Sequence, residues 1–424
     1  MTAARRARWP FMVWLTVVSV MLIGGGAYAG VKLTASPPRA GVRIDAPATL
    51  VLDGQGAVPI PVPTAGSFAL STSTVADVAS HNATVERPIG SVAKAMAALV
   101  VLEAEPLPAG AGGPSITMTA ADVALYHQAV AEGGSNLAVR AGEVLSERDL
   151  LLALLLPSAD NIAESLAVWV SGNRTTFIAR ENAMAAAMGM DHTHFADPSG
   201  LSPKTESTAA DLLILARAVT ASPALADLVA VQEARLPDGT LLHNLDILLG
   251  HVPGWLGVKT GWTGAAGGCL LFAARRSYGP ASNVSVTVWG AVLGQPKQSA
   301  TDRAHPELGG AFAAAQNAVS AALGDYVAVD IDHAVPPVTG AVITAWADTT
   351  DVQLVSNLGH LWVPVMPGAA LHLTVTRLPP LAPFARGAIV GRVTGVLNAT
   401  TSVTWQVAAT AAINGPSAAW KLVH

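Results

Sequence analysis

The run Ala95–Leu102, "AMAALVVL", is apolar on every side of a helix, and such a helix is stable only when the rest of a domain closes around it. What stands at its mouth does not fit that burial. In "RPIGSVAKAMAALVVLE", Arg87 to Glu103, Ser91 comes three residues before Lys94, so hydroxyl and amine share one helical face. A buried ammonium is costly unless it is paired or gives up its charge. The chain holds only six lysines (Lys32, Lys94, Lys204, Lys259, Lys297 and Lys421), so the position of Lys94 invites a chemical explanation. A desolvated lysine can replace histidine as the base that activates a serine nucleophile. The same spacing also describes an N-cap serine followed by a lysine snorkelling to the surface, and the pattern needs company.

Two further stretches supply it. In "LLLPSADNIAESLA", Ser158, Asp160 and Asn161 form a polar knot between an apolar run and an amphipathic helix. Taken alone this is a helix cap, with Glu164 near the place a capping box wants an acid. In "GWLGVKTGWTGAAGGCLLFAA", Lys259, Thr260, Gly261 and Trp262 open a β-like run. Lys and Thr on an apolar sheet edge, with Gly261 leaving room for a ligand to reach the backbone, suit an extended peptide that bears a carboxylate. By itself "KTG" is a common turn.

Composition bounds the rest. A 424-residue chain that is 51% hydrophobic and 12% charged is long and apolar enough for more than one globular domain. A net charge of −5 without basic runs past the first residues gives no nucleic-acid partner. The single cysteine, Cys269, excludes an internal disulfide and any multi-cysteine zinc site. Arg5, Arg6 and Arg8 precede an uncharged stretch from Trp9 to Gly30, which reads as a signal or membrane anchor with the remaining chain outside the cytoplasm. "AYAG" offers a small-residue cleavage site after Ala29, and a retained anchor is the preferred reading.

The chain then divides into a segment 1–30, a linker 31–45, a mixed domain 46–325 and a β-rich domain 326–424. The mixed domain reads as α+β, an antiparallel sheet covered by a helical cluster. From Tyr326 onward helical patterns give way to short strands with Pro and Gly turns.

In the order Ser-x-x-Lys, Ser-x-x-Asn, Lys-Thr-Gly, the three motifs resemble the set of penicillin-binding proteins and serine β-lactamases. "LLLPSADNIAESLA", "GMDHTHFADPSGLSP" and "HNLDILLGHVPGWLGVKTGWTGAAGGCLLFAA" look like segments of the low-molecular-mass D-alanyl-D-alanine carboxypeptidases, and the region ending "GPSAAWKLVH" looks like their second domain. The resemblance implies a penicillin-binding/β-lactamase-like transpeptidase fold. It implies Ser91 as the acylated nucleophile, Lys94 as its base and Ser158 as a proton relay to the leaving amine. Lys259 would keep the site electropositive, Thr260 would hold the substrate carboxylate, and the N–H groups of Ser91 and Trp262 would form the oxyanion hole. Peptidoglycan stem peptides are the implied substrates and β-lactam antibiotics the implied acylating agents, with no metal or organic cofactor. His192 and His194 in "HTH" lack a third ligand at plausible spacing and read as loop residues.

The sequence departs from the family at the second motif, which usually reads Ser-x-Asn, whereas Asp160 holds that place and Asn161 follows. Gly90 also stands where Ala is usual, and "KAMAAL" lacks the Met-Thr pair common after the lysine. Asp160 is expected to face Lys94 and Lys259 with Lys259 as its main partner, and Asn161 to begin and cap the helix. Asp160→Asn would then leave acylation nearly unchanged. Two alternatives stay open. A class A β-lactamase would need a deacylating Glu-x-x-Leu-Asn stretch, and none follows Ala167. A membrane-tethered wall-binding or scaffold protein with an impaired site would keep the fold without the labelling by penicillin. A chain ending near Asp325 is expected to label still, the β-rich domain acting as a stalk.

Overall fold

The computed structural model describes residues 8–52, 59–298, 305–335, 338–355, 360–397 and 401–424. Arg5 and Arg6 lie outside the described residues. Helix α1 (Arg8–Thr34) contains the only described segment long and apolar enough to cross a membrane, Trp9–Thr34, and its residues are not buried by the protein. Two compact units follow from the contacts. One comprises residues 55–328 with 362–367, the other residues 1–54, 329–361 and 368–424.

The first unit is built on an antiparallel sheet whose strands run in the order Trp255–Thr263, Gly267–Tyr278, Val284–Gln295, Ser67–Thr72 and Ala79–His81. Its central strands read as unbroken apolar runs because both faces are covered. Along Gly267–Tyr278, Cys269, Leu271 and Ala273 face a helical cluster, while Leu270, Phe272 and Ala274 face the opposite layer. That opposite layer is the helix Gly309–Gly324, whose Ala311, Ala315, Ala318 and Ala322 recur at helical spacing and allow close approach to the sheet.

The cluster on the other face contains α2 (Lys94–Ala104), α3 (Ala120–Ala131), α4 (Glu147–Leu155), α5 (Asp160–Ser171), α6 (Arg174–Met188), α7 (Ala209–Ala221) and α8 (Pro223–Val229). The helix Gly309–Gly324 is α9. α2 is buried along its first five residues, as its all-round apolar surface requires, and lies against α4, α5, α6 and α7. Thr119 with Asp122 and Ser146 with Asp149 form capping boxes that start α3 and α4.

The second unit is a seven-stranded antiparallel sheet in the order Gly41–Asp45, Thr339–Ile343, Thr350–Val355, Ser402–Ala409, Ile389–Val396, Ala370–Arg377 and Thr49–Val51. Two expected boundaries change. The stretch read as a linker, 31–45, is the end of α1 followed by an edge strand of this sheet, and Thr49–Val51 closes the opposite edge. Short edge strands without strong alternation carry too few residues to announce pairing with partners some 300 positions away. The cut at 325 also moves, because Tyr326 belongs to the core of the first unit, its hydroxyl 2.9 Å from Thr72 Oγ1 and 2.5 Å from Thr74 Oγ1. The tail is the expected β region, with two short helices beside its strands, α10 (Ile331–Ala334) and α11 (Ala418–Val423).

Two carboxylates of the first unit, Glu147 and Glu181, are buried with both oxygens lacking a hydrogen-bond partner. Burial, with a smaller contribution from Glu105, pushes the Glu147 carboxyl up to about 7. The folded protein therefore keeps a proton that the unfolded chain releases above its ordinary value of 4.5, so this residue costs stability as pH rises from 4.5 through 7. Glu147→Gln is expected to make that fall shallower and to stabilise the first unit at pH 8 by about 1–3 kcal/mol, read from urea unfolding at pH 5 and pH 8.

Candidate active site

A 3₁₀ turn, Gly90–Ala93, delivers Ser91 to the mouth of α2. From the first residue of α2, the fully buried Lys94 Nζ lies 2.8 Å from Ser91 Oγ, 2.5 Å from Asp160 Oδ1 and 2.9 Å from the carbonyl oxygen of Ser199. Three partners match the capacity of the nitrogen in either charge state. As an ammonium it donates to all three. As an amine it donates to Asp160 and Ser199 and accepts from the Ser91 hydroxyl, so a proton can pass between Ser91 and Lys94 without rearrangement of the site.

Backbone contacts at two glycines hold this arrangement. A Cβ on Gly261 would lie 2.9 Å from Ile89 O and Val92 N and 3.1 Å from Ser91 N. The strand carrying Lys259 thus crosses the turn that bears Ser91 at backbone distance. Gly261 makes room for the turn that bears Ser91, and the expectation that it makes room for a ligand is corrected accordingly. Gly200 has φ +80, and a Cβ there would lie 1.9 Å from Gly90 O. This approach brings the carbonyl of Ser199 to Lys94. The loop is fixed by the Asp197 carboxylate, which accepts from Ser199 Oγ (2.7 Å), Leu201 N (2.8 Å) and Thr205 Oγ1.

Ser158 adopts φ +66, an uncommon conformation for a residue with a side chain, and its buried hydroxyl has no partner. α5 starts two residues later. Asp160 reaches Lys94 and not Lys259, which overturns the expected pairing. The helical start aims the residue two places after Ser158 at the mouth of α2, while Lys259 Nζ is occupied by the carbonyl of its neighbour Thr260 (3.0 Å). Asn161 does not cap α5. Its side chain donates to Leu137 O (2.9 Å) and accepts from Leu137 N (3.0 Å), tying down the preceding segment beside which Asp160 N donates to Ser135 O. Glu164 forms no capping box either, since it pairs with Arg174 at 3.1 Å.

Lys259 is buried, and its amine titrates well below the ordinary lysine range. Burial is the main cause, and the charge of Lys94 adds to it against the pull of Asp160 and Asp246. An anionic group bound beside it would favour the charged form. Thr260 is buried beside it, and Trp262 stands half exposed at the lip. Among the described residues the strand Trp255–Thr263 is paired along one edge only, as an extended peptide requires. A cavity of about 410 Å³ adjoins Asp160 and Ser199 and is lined also by Gln128, Glu132, Arg174 and Leu201.

A sequence model of the family described as D-alanyl-D-alanine carboxypeptidase matches residues 64–290. The chain belongs to that family. D-alanyl-D-alanine carboxypeptidase DacB2 of Mycobacterium tuberculosis is 35% identical over 228 residues, covering 52% of this chain and 74% of the relative. A D-alanyl-D-alanine endopeptidase of Pseudomonas aeruginosa is 32% identical over 217 residues, 50% of this chain and 67% of the relative. Among solved structures, a D-alanyl-D-alanine carboxypeptidase from M. tuberculosis superposes with TM-score 0.52 at 29% identity, covering 63% of this chain and 94% of that one. The Streptomyces K15 DD-transpeptidase does so with TM-score 0.53 at 25% identity, covering 63% and 100%. This carboxypeptidase family comprises serine peptidases that act on peptidoglycan stem peptides and bind β-lactams, and its fold is the α+β architecture described above.

The sequence reading missed the carbonyl of Ser199, the Asp197 hub that holds it, and the Ser135–Leu137 segment. "ADPSGLSP" stood out only as a family-like segment, because a backbone carbonyl leaves no residue-type signature. Gly261→Ala is expected to slow acylation by a fluorescent penicillin more than about tenfold while the fold loses about 1–3 kcal/mol, measured by labelling rate and by urea unfolding.

Proposed function

We propose that this D-alanyl-D-alanine carboxypeptidase family member removes the terminal D-alanine from peptidoglycan stem peptides through an acyl-enzyme on Ser91. The observation that carries the reading is the 2.8 Å contact between Ser91 Oγ and a buried Lys94 Nζ, beside the strand Trp255–Thr263, one edge of which is unpaired among the described residues. Neutral Lys94 takes the hydroxyl proton as Ser91 Oγ attacks the carbonyl carbon of the penultimate residue. The N–H groups of Ser91 and Trp262 receive the developing oxyanion at the point where Gly261 lets the two backbones meet. The bond to the nitrogen of the terminal D-alanine breaks, and the proton reaches that leaving amine by way of Ser158, whose hydroxyl has no other partner. Water then attacks the ester, returning the hydroxyl to Ser91. Thr260 and Lys259 hold the terminal carboxylate. A β-lactam enters the same sequence and stops at the ester.

Membrane anchorage through α1 fits the contacts at its end. Lys421 Nζ donates to Leu33 O (2.9 Å) and Ala35 O (3.1 Å), and Lys32 Nζ donates to His424 O (2.9 Å). Carbonyls that a helix end leaves without partners are thereby satisfied by α11, which favours retention of α1 and an extracytoplasmic enzyme. The β-rich unit carries none of the three motifs and serves as a stalk or wall-facing module.

Intact-mass analysis after penicillin treatment is expected to show one adduct, mapped to Ser91. Absence of an adduct, or one that persists in Ser91→Ala, overturns the enzymatic reading.

A second reading, an impaired wall-binding protein, draws on the Lys94–Asp160 contact, since a charged carboxylate stands 2.5 Å from the amine where the family usually has an uncharged amide. Asp160→Asn keeps a hydrogen-bond acceptor and removes the charge. Acylation at neutral pH is expected to accelerate about tenfold or more, the equivalent of about 1.4 kcal/mol. A rate changed less than a few-fold would show that the pair does not restrain Lys94, and labelling seen only in Asp160→Asn would establish the impaired reading.

A further inference from the structure

In the β-rich unit, outside the unit that carries Ser91, three metal-capable side chains converge on one point. Asp330 immediately precedes α10, His333 lies in that helix, and His360 arrives from a segment thirty residues on. His333 Nδ1 is 2.8 Å and His360 Nδ1 is 2.6 Å from the same oxygen, Asp330 Oδ2. The two rings stack with centroids 4.8 Å apart and 16° between their planes.

The carboxylate is held independently of the histidines. Its other oxygen accepts the N–H of Leu361 (3.1 Å), and Ile331 N donates to Leu361 O (2.9 Å), so the two segments are tied through their backbones. α10 is pinned in addition by Trp405 Nε1 of the buried sheet, which donates to Asp332 Oδ1 at 2.9 Å. The Asp330 side chain is only 11% exposed, whereas the rings are 65% and 70% exposed, leaving the convergence point open to water.

Two neutral imidazoles can each donate Nδ1–H to the shared carboxylate oxygen, and the same three atoms can instead close on a cation. If both rings were imidazolium, two like charges would lie stacked against each other. With a cation bound, both Nδ1 lone pairs and the carboxylate oxygen face one positive charge. Zn²⁺ binds imidazole nitrogen at about 2.0–2.1 Å and carboxylate oxygen at about 2.0–2.2 Å, so tetrahedral ligand atoms stand about 3.4 Å apart. The two N–O contacts would open by well under 1 Å, a movement that exposed rings make freely.

We propose that Asp330 Oδ2, His333 Nδ1 and His360 Nδ1 form a binding site for Zn²⁺ or a similar divalent transition metal, with water completing the coordination. Two imidazoles and one carboxylate suit that class, whereas Ca²⁺ and Mg²⁺ favour oxygen donors throughout. His360 closes a loop onto α10, so the metal acts as a clip that binds the folded β unit and stabilises it by mass action.

The test uses the untagged full chain, freed of metal with EDTA and titrated with ZnCl₂ by isothermal calorimetry and thermal melting. One site with Kd on the order of 10 µM or tighter, and a zinc-dependent rise in melting temperature, are expected. His333→Ala and His360→Ala are each expected to weaken binding at least about tenfold, the scale of a lost ligand contribution, and His372→Ala, outside the cluster, to leave it intact. Histidine resonances of the wild-type protein give a reading that needs no variant, since zinc should shift two of them selectively and Mg²⁺ should shift neither. No saturable binding, binding unaltered in both alanine variants, or no selective shift of two histidines overturns the proposal.

Discussion

The arrangement of the first unit turns on one buried nitrogen. Lys94 is fully buried at the start of a helix that packs against four others of the cluster, where an amine without partners would be prohibitive. Its three contacts come from three separate parts of the chain: the preceding turn, the start of α5 and the loop after α6. Each of those segments is held by contacts of its own, so the cost of burying the amine is met by preorganising the groups that the chemistry uses. Asp160 sharpens this economy. A carboxylate 2.5 Å away offsets the burial of the lysine more strongly than the family's usual amide would.

Close backbone approach does the rest of the positioning. Gly261 and Gly200 are the points where the substrate strand and the Ser199 loop come against the turn bearing Ser91, and neither point tolerates a side chain. The strain at Ser158 belongs to the same economy, because a left-handed residue two places before α5 leaves a hydroxyl buried and without a partner. The site is therefore made as much from backbone as from the motif side chains.

The two units illustrate different kinds of legibility. The helices around α2 could be read from periodicity and caps, as in the paired capping residues Thr119–Asp122 and Ser146–Asp149. The β-rich unit could be read as β in kind but not in extent, because its sheet takes both edge strands from residues 41–51, far from the rest of it in sequence. Strand pairing over such distances is decided by collapse of the whole unit and leaves little trace in a short edge strand. The Asp330–His333–His360 cluster is illegible in the sequence for the same reason, since His360 lies thirty residues beyond Asp330.

What the sequence by itself determined is the class, a D-alanyl-D-alanine carboxypeptidase family member with an α+β unit followed by strands, while the spacing of Ser91 and Lys94 and the order of Ser158 and Lys259–Thr260–Gly261 supply the residues proposed for its chemistry. Tertiary structure decided which groups touch. It gave Asp160 to Lys94 instead of Lys259, turned Asn161 toward Leu137, supplied the Ser199 carbonyl and moved Tyr326 into the core of the first unit. The physical reason is that residue types report what a side chain can do within its own turn of helix or strand. The partner of a buried charge is fixed only when separate backbones are packed to contact distance, and that distance is a property of the folded whole.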